Sequence, residues 1–321
     1  MTFFQKSALC LVAAFLTWST PCFALQRVVA TLPDLAAVAS EVGGEHVKVT
    51  AMALPTQDPH FVDAKPSLVL EVSRADLLLL AGLDLEIGWL PTLLTGSRNP
   101  KIQKGNSGYL DCSQFVHVLE VPTQVVDRSM GDLHPGGNPH YYYDPRAISD
   151  IANGIAERLS TIDPEHASDF VANAKIFTTT LSGAIERWEA DFEAANKVPV
   201  IQYHRSWPYF ADFAGLELIS DVEPKPGIPP APAQVAHVVN LARERQVKII
   251  LIESYYPSST ARLVAEKAGA KGSVRQVAGP VLFALKAAQR SCFEFFKLLA
   301  GVGGVAKRAR EQLHALGEVA R

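Results

Sequence analysis

The sequence predicts an α/β protein of two lobes with mainly parallel sheets, joined by a long rigid helix, with a cleft between the lobes. Three observations carry that prediction. Short β-branched or wholly apolar runs alternate with helical stretches before residue 145 and again after residue 198. Between these regions, from Asp144 to about Asn196, the helical pattern is clearly interrupted only at Asp163-Pro164. The length of 321 residues is large for one hydrophobic core and suits two.

The first 24 residues have the form of a cleavable secretory signal. Lys6 is the only charge before Arg27, and Ala8 to Trp18 is an apolar run too short to span a bilayer. Cys22-Phe23-Ala24 fits a small-residue cleavage site, and the residues before Cys22 (Ser19-Thr20-Pro21) fit a lipobox poorly. Cleavage after Ala24 predicts a soluble periplasmic protein. It leaves 297 residues (321 less 24) and moves the net charge from −3 to −4, because only Lys6 is lost. That balance gives no reason to expect nucleic acid as a partner. Of four cysteines, Cys112 and Cys292 remain. In an oxidising compartment they either pair and tie the lobes together or stay as two buried thiols.

In the first lobe, residues 25–145, VVATLP reads as a strand and Asp34 to Gly44 as a helix with a Gly-Gly stop. HVKVTAMAL alternates as a second strand, and the loop QDPHF (Gln57 to Phe61) follows it. Lys65 to Val72 predicts a short helix, ADLLLLAG a buried parallel strand, and Leu85 to Leu94 another helix. Tyr109 to Val118 reads as mixed strand and turn. In GGNPHYYYDP, Gly136 to Pro145, Asp144 suits an N-cap and Pro145 the first helical position.

Residues 146–197 form the connecting helices, including the interlobe backbone helix. Ile148, Ile151, Ile155 and Leu159 recur at helical steps, as do Phe170, Ala174, Phe177, Leu181, Ile185 and Trp188. The second lobe, residues 198–321, opens with the strand VPVIQYH ending at His204 and the short helix WPYFADFAG. Leu216 to Val222 is a strand, EPKPGIPPAPAQ a proline-rich loop, and Ala233 to Gln246 a helix. VKIILIES is a buried strand with Glu253 at its end, Ser258 to Ala268 a helix, and the last 30 residues helical and basic. No short repeat is present, although both lobes share a βα rhythm.

Of nine histidines, His60, His140 and His204 share a context at the ends of strands or turns, and the first two follow a proline. Neutral imidazole is the commonest biological metal ligand, and three of them suit zinc. Taken singly, a loop histidine is ordinarily a surface or capping residue, and the separations of 80 and 64 residues form no short metal motif. The three tyrosines after His140 read as packing residues. Glu253 reads either as a ligand or as a strand-end carboxylate with a basic partner. His134, six residues before His140, reads as a solvent-exposed loop residue, with metal capture or relay as its alternative.

The order DPH, then NPHxxxDP, then HxxxxYF, around a long central helix in a secreted chain, resembles the zinc/manganese solute-binding proteins of bacterial ABC transporters (cluster A-I). The likeness covers nearly all of the chain after the signal. It implies a metal bound between two α/β lobes and delivered to a membrane permease, with His60 and His140 as ligands from the first lobe and His204 as the first ligand of the second. The resemblance also implies a monomer, and a periplasmic metallochaperone as a further candidate partner. A histidine at 204, where manganese carriers often have a carboxylate, favours Zn2+ over Mn2+. The histidine- and acid-rich loop common in zinc members is missing between Asp111 and Asp132.

One departure from the family pattern concerns the fourth ligand. The usual aspartate after a late strand is absent near Gly279, where Val274 to Leu282 reads VRQVAGPVL. Glu253, water or an anion is left for that position. An open three-histidine site resembles catalytic zinc, so a zinc hydrolase with Glu253 as its base is a second reading. No HExxH, G-x-S-x-G or general base beside a ligand accompanies it. An adhesin or sensor with structural metal is the third.

Overall fold

Two four-stranded sheets have the same strand order, and every pairing within them is parallel. The computed structural model describes residues 25–124, 134–193, 196–223, 225, 227–270 and 274–277. The expected signal segment, Cys292 and the basic C-terminal helix lie outside the described residues.

The first sheet runs β2-β1-β3-β4, with β1 at Gln26–Ala30, β2 at Val47–Ala51, β3 at Leu77–Leu80 and β4 at Tyr109–Asp111. The second runs β6-β5-β7-β8, with β5 at Pro199–Gln202, β6 at Glu217–Asp221, β7 at Ile249–Glu253 and β8 at Val274–Val277. In each sheet the chain steps one way from its first strand and then returns to the other side. The switch points therefore fall between β1 and β3, and between β5 and β7. Open α/β sheets bind ligands outside the carboxyl ends of their strands at such points.

Helices α1 (Pro33–Gly43), α2 (Pro66–Ser73), α3 (Leu90–Ser97), α6 (Pro208–Ala214), α7 (Pro232–Glu244) and α8 (Ser258–Lys267) connect these strands. Between the sheets run α4 (Pro145–Ile162) and α5 (Ala167–Phe192). The 26 residues of α5 span about 39 Å at 1.5 Å per residue.

Strand alternation explains how the layers join. Leu77 and Leu79 of β3 face the same core as Val200 of β5 and Ile249 and Leu251 of β7. Phe170, Phe177, Leu181, Trp188 and Phe192 of α5 fill the space between them. The odd-even partners Leu78 and Leu80 turn to a separate core in the first lobe, and Ile250 and Ile252 to one in the second. Both sheets are thus covered on two faces, as parallel strands require. One of those faces is common property: the lobes share a hydrophobic core with α4 and α5, which fixes their mutual position.

One helix begins later than its apolar pattern predicts. The stretch from Leu85 is helical only from Leu90. Just before it, Leu83 and Asp84 take left-handed backbone angles (φ 52° and 64°), and residues 85–89 continue as turns. The Glu86 carboxylate accepts from Thr31 Oγ1 at 2.6 Å and from the amides of Ala81 and Gly82 at 2.7 and 3.2 Å. This tight turn closes the carboxyl ends of β1 and β3, and Pro91 then sets the helical first turn.

Candidate metal centre

His60 sits on the loop after β2. Trp89 Nε1 donates to the Pro59 carbonyl at 2.9 Å and pins that loop to the first lobe's core. His140 precedes a single 3₁₀ turn, Tyr141–Tyr143, that leads into α4. The Asp144 side chain accepts from Arg146 N, and Pro145 occupies the first turn, so the helix start is capped as the sequence indicates. Tyr141 OH donates to the Ala81 carbonyl at 2.7 Å, and Tyr143 packs on Trp207 at 4.7 Å between centroids. The tyrosines therefore anchor the loop. His204 follows β5 at the second lobe's switch point.

These three histidines, all buried, meet. One ring nitrogen from each lies within 4.8 Å of those of the other two. Their ring centroids are 5.2 to 5.3 Å apart. Two share a local construction. Asp58 Oδ1 accepts both the backbone N–H of His60, at 3.0 Å, and its ring Nδ1, at 2.7 Å. Asn138 Oδ1 does the same for His140, at 2.9 Å each. An Asx residue two positions ahead, separated by a proline, thus orients each imidazole. His204 Nδ1 instead meets Glu223 Oε2 at 2.9 Å.

The tautomers follow from the acceptors. Asp58 and Glu223 present carboxylate oxygens that accept. The Asn138 amide nitrogen donates to Glu120 and to the Arg205 carbonyl, so its oxygen faces His140. Each Nδ1 therefore carries a proton toward its oxygen, which leaves Nε2 as the ring atom turned to a metal. On His60 and His140 that Nε2 is buried without a hydrogen-bond partner. Burial, followed by the neighbouring histidines, holds the His140 pKa well below its ordinary value, so the ring is neutral. Burial disfavours ionised Asp58, yet its hydrogen bond and charge interaction with His60 bring its pKa below the usual carboxylate value. Imidazoles backed by oxygen acceptors are a donor set that suits a divalent transition metal.

The second lobe holds the first lobe's ligand loops directly. Tyr256 OH donates to Asp58 Oδ2 at 3.0 Å while its ring lies 5.7 Å from that of His204. Tyr209 OH donates to the Asn138 carbonyl at 2.7 Å, and Arg205 pairs with Glu120 at 2.7 Å.

Two further residues differ from expectation. Glu253 ends β7 as predicted but lies outside the converging group among the described residues. It is fully buried, both carboxyl oxygens lack a hydrogen-bond partner, and burial pushes its pKa up to about 8. His134 is not solvent-exposed as its glycine-rich loop implied. Its Nε2 is buried, and burial followed by His60 and His204 lowers its pKa to about 3. Cys112 is buried just after β4.

The buried acids give a stability signature. Asp34, Glu86 and Glu253 have folded pKa values raised by burial to about 8, 7 and 8. A raised acid stabilises the fold below its unfolded pKa, and that contribution is lost as pH rises through the folded value. The lowered pKa values of His134 and His140 act the other way, but only below about 6.5, the unfolded histidine value. Metal-free protein is therefore expected to melt at a lower temperature at pH 8 than at pH 6.5, as thermal unfolding by circular dichroism would read.

Over residues 28–290 the chain matches the family described as zinc-uptake complex component A, periplasmic. It belongs to that family. The family's members are metal-binding solute-binding proteins of ABC transporters rather than enzymes. A metal ion as cargo and a membrane permease as partner come with that membership.

The chain is 25% identical over 265 residues to the manganese-binding lipoprotein MntA of Bacillus subtilis, covering 79% of each. It is 21% identical over 220 residues to the high-affinity zinc uptake system protein ZnuA of the same organism, covering 68% of this chain and 67% of the relative. Among solved structures, the SBP FpvC from Pseudomonas aeruginosa in complex with Mn2+ superposes with a TM-score of 0.71 at 19% identity. That superposition covers 87% of this chain and all of FpvC, and it supports the fold.

Proposed function

We propose that this chain is a periplasmic zinc-binding protein that takes Zn2+ between its lobes through His60, His140 and His204 and hands it to the permease of an ABC importer. The observation that carries the reading is the convergence of three imidazoles from both lobes, each with Nδ1 held by an oxygen. Nitrogen-rich ligation favours zinc over the harder manganese ion. The acceptor behind each ring raises its basicity as a ligand and fixes its aim. Metal uptake competes with protonation of the imidazoles, so affinity falls as pH drops through the histidine range.

The protein works as a monomer secreted through its N-terminal segment, and the lobe boundaries follow residues 25–145, 146–197 and 198–321. A periplasmic metallochaperone is a candidate donor. Glu253 lies outside the histidine group, and the carboxylates beside the rings among the described residues, Asp58 and Glu223, are committed to ring Nδ1 atoms rather than poised as the base of a hydrolase.

The test is metal competition on the chain from Leu25 onward. Equimolar Zn2+ and Mn2+ are offered to metal-free protein, and the bound metal is measured by elemental analysis after gel filtration. One equivalent of zinc with little manganese is expected. Preferential retention of manganese would replace the zinc reading with a manganese carrier, and zinc-dependent hydrolytic turnover would replace it with an enzyme.

A further inference from the structure

His134 stands outside the converging three yet directly beside them. Its ring centroid lies 5.5 Å from that of His60 and 6.4 Å from that of His140, close to the 5.2 to 5.3 Å spacing within the group. Its Nε2 is buried without a hydrogen-bond partner, as are those of His60 and His140. An unsatisfied buried polar atom is destabilising unless a ligand satisfies it. Two of these nitrogens belong to the converging group and the third, on His134, stands on the ring beside it, an arrangement that a bound cation satisfies.

The loop is built to hold this ring near the cleft. Gly137 N donates to the His134 carbonyl at 3.1 Å. Gly137 has φ +108°, and a Cβ there would fall 2.3 Å from Val118, so this corner of the loop is fixed and requires glycine. Pro135 and Gly136 between them are exposed. Glu253 is also outside the group, with its two carboxyl oxygens buried and unpartnered, but His134 is the one whose ring stands directly beside the ligand rings, and the stretch from Val274 to Leu282 contains no carboxylate.

We propose that His134 is the fourth metal ligand, completing an all-imidazole tetrahedral site that selects zinc against manganese. This rests on the three-histidine reading above. Four nitrogen donors match the tetrahedral preference of Zn2+ and offer nothing to a harder ion that seeks oxygen.

The experiment compares wild type, His134→Ala and His134→Gln, titrated with Zn2+ against a chromophoric chelator and separately loaded with Co2+ for visible spectroscopy. Zinc affinity is expected to fall about 10-fold or more in both variants, at least the loss that even a supporting residue causes. One metal should still bind per chain, and the Co2+ d–d spectrum should change because one nitrogen donor is replaced. Selectivity for Zn2+ over Mn2+ should narrow. Variants with wild-type affinity and an unchanged Co2+ spectrum would overturn the inference while leaving the three-histidine site standing. A wild-type protein that binds no metal would instead overturn the reading beneath it. Circular dichroism of the metal-free variants controls for folding.

Discussion

Replacing His140 with alanine is expected to weaken zinc binding by more than about 100-fold, beyond the roughly 10–100-fold that loss of a supporting residue costs. His140 is the most buried of the three rings, at 1% exposure, so no solvent or mobile side chain can readily fill its position. Its Nδ1 is committed to Asn138 and its Nε2 has no other partner. The substitution therefore removes a preoriented donor. In the metal-free protein, by contrast, it removes a buried nitrogen that was already unsatisfied. The metal-free variant should keep its fold, and its melting temperature should no longer rise on adding zinc, whereas the wild type gains stability with the logarithm of free zinc over its dissociation constant. Chelator competition and thermal unfolding with and without zinc check both halves.

Asp58→Ala is expected to cost about 10–100-fold in affinity although Asp58 contributes no ligand atom. One carboxylate oxygen fixes the His60 tautomer and ring plane, and the other accepts from Tyr256 of the opposite lobe. Alanine frees the His60 ring and breaks the bridge between lobes together. Tyr256→Phe breaks only the bridge. It is expected to speed zinc release measurably while leaving a Co2+ spectrum unchanged, whereas Asp58→Ala should alter both. Stopped-flow release into excess chelator separates the two effects, and the double variant measures their coupling.

Much of this arrangement was legible in the sequence. Parallel strands announced themselves as apolar runs such as Leu77–Leu80, and Asp144-Pro145 marked the start of α4. The repeated Asx-Pro-His tripeptide held more information than its histidines alone. The residue at its head binds both the backbone amide and the ring two positions on, a contact readable from spacing.

What remained hidden depends on contacts distant in the chain. Glu223 reaches His204 because β6 lies beside β5 and brings residues 19 apart together. The Asp58–Tyr256 bond spans 198 residues and exists only once the lobes are assembled. His134 looked exposed because prolines and glycines surround it, yet tertiary placement buries its Nε2 beside the other rings. Apolar periodicity from Leu85 predicted helix because it could not register that Glu86 is drawn into a turn by Thr31.

The most direct measurement is X-ray absorption at the zinc edge on protein loaded with one equivalent of metal. A first shell dominated by nitrogen at about 2.0–2.1 Å, with imidazole outer-shell scattering from at least three rings, is the predicted result. A shell of oxygen or sulfur donors, without the imidazole signature, would contradict the assignment of His60, His140 and His204.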